Sequence, residues 1–424
     1  MKKPVFLGLL LLLAPGLAGC SQALPEETKS TQITISVLAG QSTSDAGVED
    51  MIDDWLAVNY PEVKLDWECV DWGDGFTPKI EGRFAAGDVP DLMIGKAQDV
   101  RTYAGTGNLG VIQKQCSQKI REEALQAVTV DGEVYGMPYN AWYQGVIYNK
   151  TIFRSLGLEP PRTEAELDEV IRRLKEAEVV PFAAHFQESW KVANMTMQYL
   201  MNEVFSDSPD WGTQFREGTR NFSGNPQIVH CMENNEKILE NSWEDALQLD
   251  QFQSDSRFTQ GEAAMYLTGS WSLQFANQYG KELDFGIFPY PCREGEAKLL
   301  RETNMTFMKS AYTEHEDILD ELLFALLDDQ KLAQEILDFT QSSSVVEGIT
   351  PAYESRIQED IEWYEQQGKV TDVSVGNAQL TWDFQNALAA EQLSWLKKEK
   401  TLEEVLEFAD QNREFSSYQE EGVE

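Results

Sequence analysis

Histidine and cysteine, on which many enzymes and metal sites depend, are scarce in this sequence. The 424 residues include three histidines, which lie far apart, and five cysteines. No H-E-x-x-H, G-x-S-x-G or Cys/His metal-ligand spacing occurs, so the common zinc-enzyme and serine-hydrolase signatures are absent. The sequence therefore predicts a protein that is not an enzyme, with no metal site and no cofactor.

The cysteines beyond residue 31 are too widely spaced for a recognisable disulfide framework. An exported protein could still pair them, so their spacing leaves the pairing open. These residues are Cys69, Cys116, Cys231 and Cys292.

Basic residues are also few, with 34 Lys and Arg against 72 Asp and Glu and a net charge of −38. Such an acidic surface repels phosphate backbones, so we expect no nucleic-acid partner. It also holds the folded body away from an anionic membrane. The 42% of hydrophobic residues is enough for an ordinary core in two or three domains.

No later apolar run is long enough to span a bilayer, but the N-terminus is distinctive. Lys2 and Lys3 precede an apolar stretch at 5–14, and Leu17-Ala18-Gly19-Cys20 follows it. This pattern resembles the lipobox of bacterial lipoproteins. The resemblance implies a signal peptide at 1–19, lipidation of Cys20 and a polar tether at 20–30. An ordinary signal peptide with a chance cysteine is the alternative.

Two further segments mimic known ligand loops. GTGNLG, residues 105–110, has the G-x-G-x-x-G spacing, but it follows a helical stretch, whereas a dinucleotide loop follows a strand. A turn is the better interpretation. DWGDGFTPKIE, residues 71–81, places Val70 at the first ligand position of a calcium loop, which valine cannot fill.

The hydropathy pattern alternates between strand and helix from residue 33 onwards. Strands are predicted at 33–38, 63–70 and 91–95, with helices at 48–58 and 76–86 between them. This rhythm indicates an open α/β sheet. Further along, 163–177 has a capping-box start and an apolar face, and 228–248 and 258–280 are predicted to be mostly helical.

Five segments, in order, resemble the extracellular sugar-binding proteins of ABC transporters, the maltose-binding-protein type. They are AAGDVPDLMIG (85–95), DGEVYGMPYNAWYQGVIYNK (131–150), IFRSLGLEPPRTEAELDEVIRRLKEAEVVPFA (152–183), FTQGEAAMYLTGSW (258–271) and FGIFPYP (285–291). Each is weak alone, but their common order behind a lipobox is specific. The resemblance spans nearly the whole chain beyond the signal.

The resemblance implies a type II periplasmic-binding-protein-like fold of class α/β. Two discontinuous lobes would be joined by crossing strands, with the ligand in the cleft between them. We expect lobe 1 at 31–141 plus 295–340, lobe 2 at 142–294 plus 341–415, and a polar tail at 416–424.

The segment at 135–150 mixes four tyrosines and a tryptophan with amides. Aromatic rings bury the apolar faces of a sugar, and amides satisfy its hydroxyls, each of which costs about 1–3 kcal/mol if buried unpaired. We therefore place Tyr139, Asn140, Trp142 and Tyr143 in the cleft. Packing in the core is the alternative, and it is preferred for Tyr135 and Tyr148.

Further cleft residues are implied by matching the family segments position by position. They are Gln41, Asp45, Gln98, Glu188, Trp190, Ser270, Trp271 and Trp382, and Trp72 is added as a replacement for a first-lobe aromatic that this chain lacks at the family position. Where the family often has an aromatic and a carboxylate, this chain has Gly95-Lys96-Ala97-Gln98, which leaves Gln98 as the polar candidate. For Trp72 an exposed loop or packing role is equally compatible.

The function implied by the resemblance is capture of a carbohydrate, expected to be an oligosaccharide, by a monomeric protein on the extracytoplasmic face of a bacterium. Its partners would be the sugar and the permease subunits of an ABC transporter, with contact to the membrane only through the lipid anchor. A non-sugar polar solute such as a glycerol phosphate or a polyamine is the first alternative. A secreted glycoside hydrolase is the second, and turnover of an oligosaccharide distinguishes it.

Overall fold

The structure is a computed structural model that describes residues 32–41, 46–72, 75–206, 208, 210–274, 276, 283–292, 295–350, 356–374 and 380–416. Asp45, the signal and tether at 1–30, Cys20 and the end of the tail lie outside these residues. Within them, no helix is both long and apolar enough to span a membrane. The same residues contain no group of His, Cys, Asp and Glu side chains suited to hold a metal ion.

Twelve strands are found in the described part of the chain. They are β1 Ile33–Gln41, β2 Val63–Asp71, β3 Leu92–Gly95, β4 Thr129–Val130, β5 Glu133–Val134, β6 Met137–Asn149, β7 Val180–Ala183, β8 Ala263–Gly269, β9 Phe285–Phe288, β10 Leu299–Lys309, β11 Ser343–Ser344 and β12 Val370–Asp372.

The α-helices of the same residues are mostly one to four turns long. They are α1 Val48–Asn59, α2 Phe76–Ala85, α3 Ala97–Tyr103, α4 Lys114–Ser117, α5 Glu122–Ala127, α6 Lys150–Leu156, α7 Glu164–Glu176, α8 Ser189–Leu200, α9 Trp211–Arg216, α10 Pro226–Glu240, α11 Gln251–Thr259, α12 Glu316–Asp328, α13 Gln330–Thr340, α14 Gln358–Gln366, α15 Trp382–Leu396 and α16 Leu402–Gln411. Short 3-10 turns cover Ala104–Thr106, Ser270–Leu273 and Arg413–Ser416, and a π turn covers Met201–Phe205.

The predicted βαβ rhythm at the start of the chain is confirmed. β1 pairs in parallel with β2 and β3, and α1 and α2 connect them. The capping box predicted near residue 163 also forms, since the Thr163 hydroxyl accepts from the backbone N–H of Glu166 at 3.2 Å. GTGNLG lies in a turn after α3, as expected.

One helical prediction is wrong. Residues 258–280 were expected to be mostly helical, but α11 ends at Thr259 and 263–269 form the strand β8. All seven residues of β8 are buried, because β8 lies between β6 and β7. A short apolar run that is buried on both faces carries no alternation, so periodicity could not separate strand from helix there.

A single large sheet links both halves of the molecule. Its main path is β2-β1-β3-β10-β6-β8-β7, with β9 and β11 also paired to β6 and β12 paired to β10. The two long strands β6 and β10, here called the crossing strands, pair antiparallel from Leu300 opposite Gln144 to Phe307 opposite Met137.

The apolar side chains form separate groups on either side of the crossing strands. One set of clusters, the first lobe, draws on residues 35–141 and 305–349. The other, the second lobe, draws on 143–300 and 357–409. The chain therefore passes between the lobes three times, so each lobe is discontinuous.

These groups differ in part from the expected division of the chain. The change between Ala141 and Tyr143 coincides with the expected one, but Leu300 packs with the second lobe and Val346 with the first. Both differences arise at the crossing strands. β10 begins alongside the second-lobe end of β6, and β11 returns to pair with β6 at Asn140 and Ala141.

Met305 has an unusual backbone in the middle of β10. Its φ is +42°, in the left-handed region that costs a residue with a side chain about 1–2 kcal/mol. It is buried, at 6% exposure, and is the first residue of β10 to join the first-lobe core. The strained position therefore coincides with the point where the strand leaves one lobe for the other.

None of the four described cysteines forms a disulfide bond. Cys69 is exposed on β2, and the other three are buried. Burial raises the pKa of the Cys116 thiol to about 11, so this group is an inert, protonated core side chain.

Candidate functional site

The register of the sheet makes the carboxyl ends of strands from the two lobes face each other. β3 ends at Gly95, opposite Thr306 of β10, while β8 ends at Gly269, opposite Gln144 of β6. Six residues of β6 separate these two levels, which corresponds to about 20 Å. Ligands of open α/β sheets bind outside the carboxyl ends of strands, so this gap, here called the cleft, is the candidate site.

Three even-numbered side chains of the crossing strands, those of Trp142, Gln144 and Glu302, form the floor of the cleft. Trp142 lies opposite Glu302 in the register. The Gln144 amide donates to Oε2 of Glu302 at 2.5 Å and accepts from Asn194 of α8 at 2.9 Å. The floor is thus a hydrogen-bonded polar layer that reaches from β10 into the second lobe.

Lys96 joins this floor from the first lobe. Its ammonium forms an ion pair with Glu302 and lies 5.0 Å from the ring centre of Trp72 and 5.7 Å from that of Trp382. Cation–π contacts of this kind contribute about 0.5–2 kcal/mol each. Lys96 therefore places a positive charge between an indole of each lobe.

Carboxyl groups surround the Lys96 ammonium. Burial raises the pKa of Asp99 to about 6; its bond from the Lys96 backbone and the Lys96 charge oppose this rise, while Glu302 and Asp383 add to it. Burial raises the pKa of Glu81, and Asp383 of the second lobe adds to this rise. This side of the cleft is consequently acidic.

The first-lobe wall contains Gln41 and Trp72. A Cβ on Gly40 would lie 2.5 Å from the Trp72 ring, so only glycine lets this indole lie flat on the end of β1. Gln41 donates to Glu49 at 2.6 Å, and both Gln41 and Trp72 line a small pocket with Asn304. The structure therefore brings two sequence-predicted residues together on this side.

The second-lobe wall repeats this arrangement with Trp271. A Cβ on Gly269 would lie 2.0 Å from the Trp271 ring, and the indole makes an edge-to-face contact with Trp142 at 6.4 Å between ring centres. The Ser270 hydroxyl accepts from the backbone N–H of Tyr143 at 3.2 Å. The Trp142, Ser270 and Trp271 predictions thus fall in one cluster.

Glu188 and Trp190 lie at the amino end of α8, beyond the carboxyl end of β7. The Trp190 ring lies 5.2 Å from the imidazole of His185, and Nδ1 of His185 lies 3.1 Å from Oε2 of Glu188. Burial lowers the pKa of His185 to about 4, so the imidazole is neutral. A partly exposed indole supported by a neutral ring is an apolar platform.

Hydrogen bonds between described residues cross from one lobe to the other. The Gln98 amide donates to the carbonyl of Leu380 at 3.4 Å, and the Gln274 amide donates to the carbonyl of Thr340 at 2.5 Å. Gln98 and Trp382 therefore lie where the lobes meet, and Lys96 approaches the Trp382 ring at the same junction.

Three other predicted residues lie apart from the open cleft. Tyr139 is in the first-lobe core, 1% exposed and packed on Phe307. Tyr143 projects from the opposite face of β6 from Trp142, and its hydroxyl donates to Glu365. Asn140 shares the face of Trp142 but is fully buried and donates to Ser342 at 2.9 Å.

The polar floor residues were missed from the sequence. Glu302 lies in LLRETNMTFMK, where every residue is buried although several are polar. Polar residues within a strand that is buried on both faces indicate a hydrogen-bonded polar layer, because each buried polar group needs a hydrogen-bond partner. Gln144 lies in the segment 135–150, but only Tyr139, Asn140, Trp142 and Tyr143 of that segment are assigned to the cleft from the sequence.

Comparison with known proteins places the chain in a family. Residues 39–345 match the family described as bacterial extracellular solute-binding protein. This chain belongs to that family. Its members are extracellular binding proteins rather than enzymes, which accords with the scarcity of catalytic motifs.

Two curated relatives of this solute-binding protein are sugar binders by name. It is 24% identical over 334 residues to the multiple sugar-binding protein of Streptococcus mutans, covering 74% of this chain and 76% of the relative. It is 25% identical over 251 residues to the maltodextrin-binding protein MdxE of Bacillus subtilis, covering 56% of each.

Solved structures share the fold. The protein RafE in complex with raffinose has a TM-score of 0.75 at 17% identity, covering 91% of this chain and 100% of that one. A sugar transporter from Bacillus licheniformis in complex with stachyose has a TM-score of 0.74 at 17% identity, covering 90% and 99%. The predicted type II solute-binding fold is thereby confirmed.

Proposed function

We propose that this protein captures an oligosaccharide in the cleft and delivers it to the permease of an ABC transporter. The observation that carries the proposal is the pair of glycine-seated indoles, Trp72 on Gly40 and Trp271 on Gly269, on opposite walls of a polar floor. Flat aromatic faces take the C–H faces of sugar rings, and the floor and rim supply donors and acceptors for hydroxyls. The sugar-binding names of the curated relatives support the same class of ligand.

Capture follows from the way the lobes are joined. Among the described residues, direct contacts across the cleft include the Gln98 and Gln274 hydrogen bonds and the approach of Lys96 to Trp382. A ligand that touches both walls adds contacts only in the closed arrangement, and it shifts the equilibrium by that difference in affinity. No bond in the ligand is made or broken in this cycle, and the protein acts as a monomer.

The charge of the cleft bears on the alternative ligands. Lys96, the cation described on the floor, is already paired with Glu302, and Asp99 and Asp383 lie nearby. A phosphate group would meet carboxylates here, which disfavours a glycerol phosphate. A polyamine is the second candidate, because the same carboxylates favour cations.

A thermal-shift panel tests the proposed ligand class. Raffinose, stachyose, maltotriose and a chitin oligosaccharide would be compared with spermidine and glycerol 3-phosphate. A saccharide present at 100 times its Kd is expected to add about 2.7 kcal/mol to the free energy of unfolding. Stabilisation by spermidine alone would instead establish the polyamine alternative. Recovery of the saccharide intact after long incubation would separate binding from hydrolysis.

We also propose that Cys20 carries a lipid that anchors the protein outside the cytoplasmic membrane. The motif Leu17-Ala18-Gly19-Cys20 behind a short apolar stretch supports this assignment. Cells expressing Cys20→Ala are expected to yield protein without incorporated labelled palmitate. Cys69→Ala, a change at an exposed cysteine of the folded body, is the matched control and should keep the label. Equal labelling of the two variants would contradict the anchor.

A further inference from the structure

A fully buried lysine and a fully buried aspartate lie behind the second-lobe wall of the cleft. Lys191 and Asp255 are both 0% exposed, yet ligand capture as described gives neither of them a role. Burial lowers the pKa of Lys191, which the Asp255 and Glu188 charges oppose. Taking two charged side chains out of water costs several kcal/mol per ion before their attraction is counted. Their presence therefore calls for a reason other than core packing.

Lys191 connects the two indole-bearing segments of the second lobe. It follows Trp190 directly in the first turn of α8, and its Nζ donates to the carbonyl of Leu267 in β8 at 2.6 Å. The same ammonium lies 4.5 Å from the ring centre of Tyr266. Leu267 lies two residues before Gly269, on which the Trp271 indole rests. One side chain thus fixes α8 to the end of β8.

Asp255 closes the connection from the other side. Its Oδ2 accepts from the Gln251 amide at 3.2 Å, and the backbone N–H of Gln251 donates to Glu188, the residue just before α8, at 2.9 Å. Burial raises the pKa of Asp255, while the Ser272 hydroxyl and the Lys191 charge lower it. Ser272 follows Trp271 in the chain and is hydrogen-bonded to Thr268 at 3.1 Å.

Stability does not account for this network. Replacing buried charged side chains together by apolar ones of similar size is often neutral or stabilising. Apolar side chains would lose the directed contacts, because Lys191 donates to the backbone carbonyl of Leu267 and Asp255 accepts from the side-chain amide of Gln251. These contacts link the segments that carry Trp190 and Trp271.

We propose that Lys191 and Asp255 are positioning residues that hold the indoles of Trp190 and Trp271 in register with each other for ligand stacking. The inference rests on the proposed function only for the use of these indoles, since the network itself is a property of the unliganded chain. A network of this kind acts through the tryptophans and does not touch the ligand.

The test uses fluorine NMR of protein labelled with 5-fluorotryptophan, with the signals of Trp190 and Trp271 assigned from single Trp→Phe variants. The Lys191→Met/Asp255→Leu double variant removes both charges at once, so neither is left buried alone. We expect the Trp190 and Trp271 signals to shift or broaden while that of Trp55, in the first lobe, stays unchanged. Urea unfolding should show equal or greater stability.

The chain offers a matched control in the first lobe. Lys309 and Asp320 are likewise a buried lysine and a buried aspartate, in this case in direct contact, 2.9 Å apart with side chains 2% and 4% exposed. The Lys309→Met/Asp320→Leu variant should leave the Trp190 and Trp271 signals in place. Unchanged signals in Lys191→Met/Asp255→Leu, or the same change in the control variant, would overturn the proposal.

Titration with raffinose and stachyose gives a second readout. Either saccharide serves, as long as the unaltered protein binds it. The Lys191→Met/Asp255→Leu variant is expected to bind that saccharide about tenfold more weakly, which is about 1.4 kcal/mol, with no loss of stability. Full affinity in that variant would also overturn the proposal. If neither saccharide nor any other panel member binds the unaltered protein, the proposed function fails, and the fluorine spectra still decide the positioning role.

Discussion

Trp271→Ala is expected to weaken saccharide binding at least tenfold, or about 1.4 kcal/mol and more. The indole is partly exposed, rests on Gly269 and touches the edge of Trp142, so it presents a fixed flat surface at little entropic cost. Alanine removes that surface and leaves Trp142 without its neighbour. Isothermal titration with the saccharide selected by the thermal-shift panel measures the change.

Gly269→Ala tests the same surface without removing an aromatic ring. The backbone of Gly269 is extended, with φ −114° and ψ 167°, so alanine brings no backbone strain. Its Cβ would lie 2.0 Å from the Trp271 ring, however, so the indole has to move. We expect a loss of affinity close to that of Trp271→Ala.

Trp363→Ala serves as the control for both changes. Trp363 is 46% exposed on α14 and contacts Tyr364 rather than any floor residue of the cleft. Its removal should leave the affinity unchanged. Wild-type affinity in Trp271→Ala, or an equal loss in Trp363→Ala, would show that the second-lobe wall does not stack the ligand.

Lys309→Met is expected to lower the free energy of unfolding by about 3–5 kcal/mol, the largest stability effect of any single change considered. The Lys309 ammonium lies within hydrogen-bond distance of both Asp320 oxygens, at 2.9 and 3.0 Å. Without it, the buried Asp320 carboxylate keeps a partner only in Gln113, among the bonds described, at 2.7 Å. An uncompensated buried charge is the reason for the loss.

Urea unfolding followed by circular dichroism measures this loss. The Lys309→Met/Asp320→Leu variant is the informative comparison, because it removes the charge that Lys309→Met leaves behind. We expect it to recover most of the stability. A single variant as stable as the unaltered protein would mean that water or Gln113 satisfies Asp320 well enough.

The sequence was informative where one physical signal dominated. Alternating β-branched residues at 33–38 and the apolar face of 163–177 each specified an element that forms, because local pattern and tertiary burial agree there. The order of family segments similarly indicated two lobes joined by crossing strands. Gly269, beneath Trp271, belongs to one of these segments, whereas Gly40, beneath Trp72, lies outside them. Only the three-dimensional structure gives either glycine a physical reason.

The rest depended on contacts distant in sequence. The register of the sheet decides which face of β6 meets the cleft. Neighbouring residues of a strand point to opposite faces, so Trp142 lies in the cleft and Tyr143 lies on the far face. Likewise, Lys96 and Glu302 are some two hundred positions apart, and their pairing follows from β3 and β10 being neighbours. No local pattern carries that information.

The left-handed backbone at Met305 has a consequence for the resting balance between open and closed forms. The torsional cost of about 1–2 kcal/mol is present in the arrangement seen here. Any hinge angle that relieves it is favoured by that amount, which is a factor of roughly 5–30 in population. This preference arises from the main chain of β10 and not from the side chains of the cleft walls. Substitutions on the walls would therefore change the ligand specificity without changing the preference.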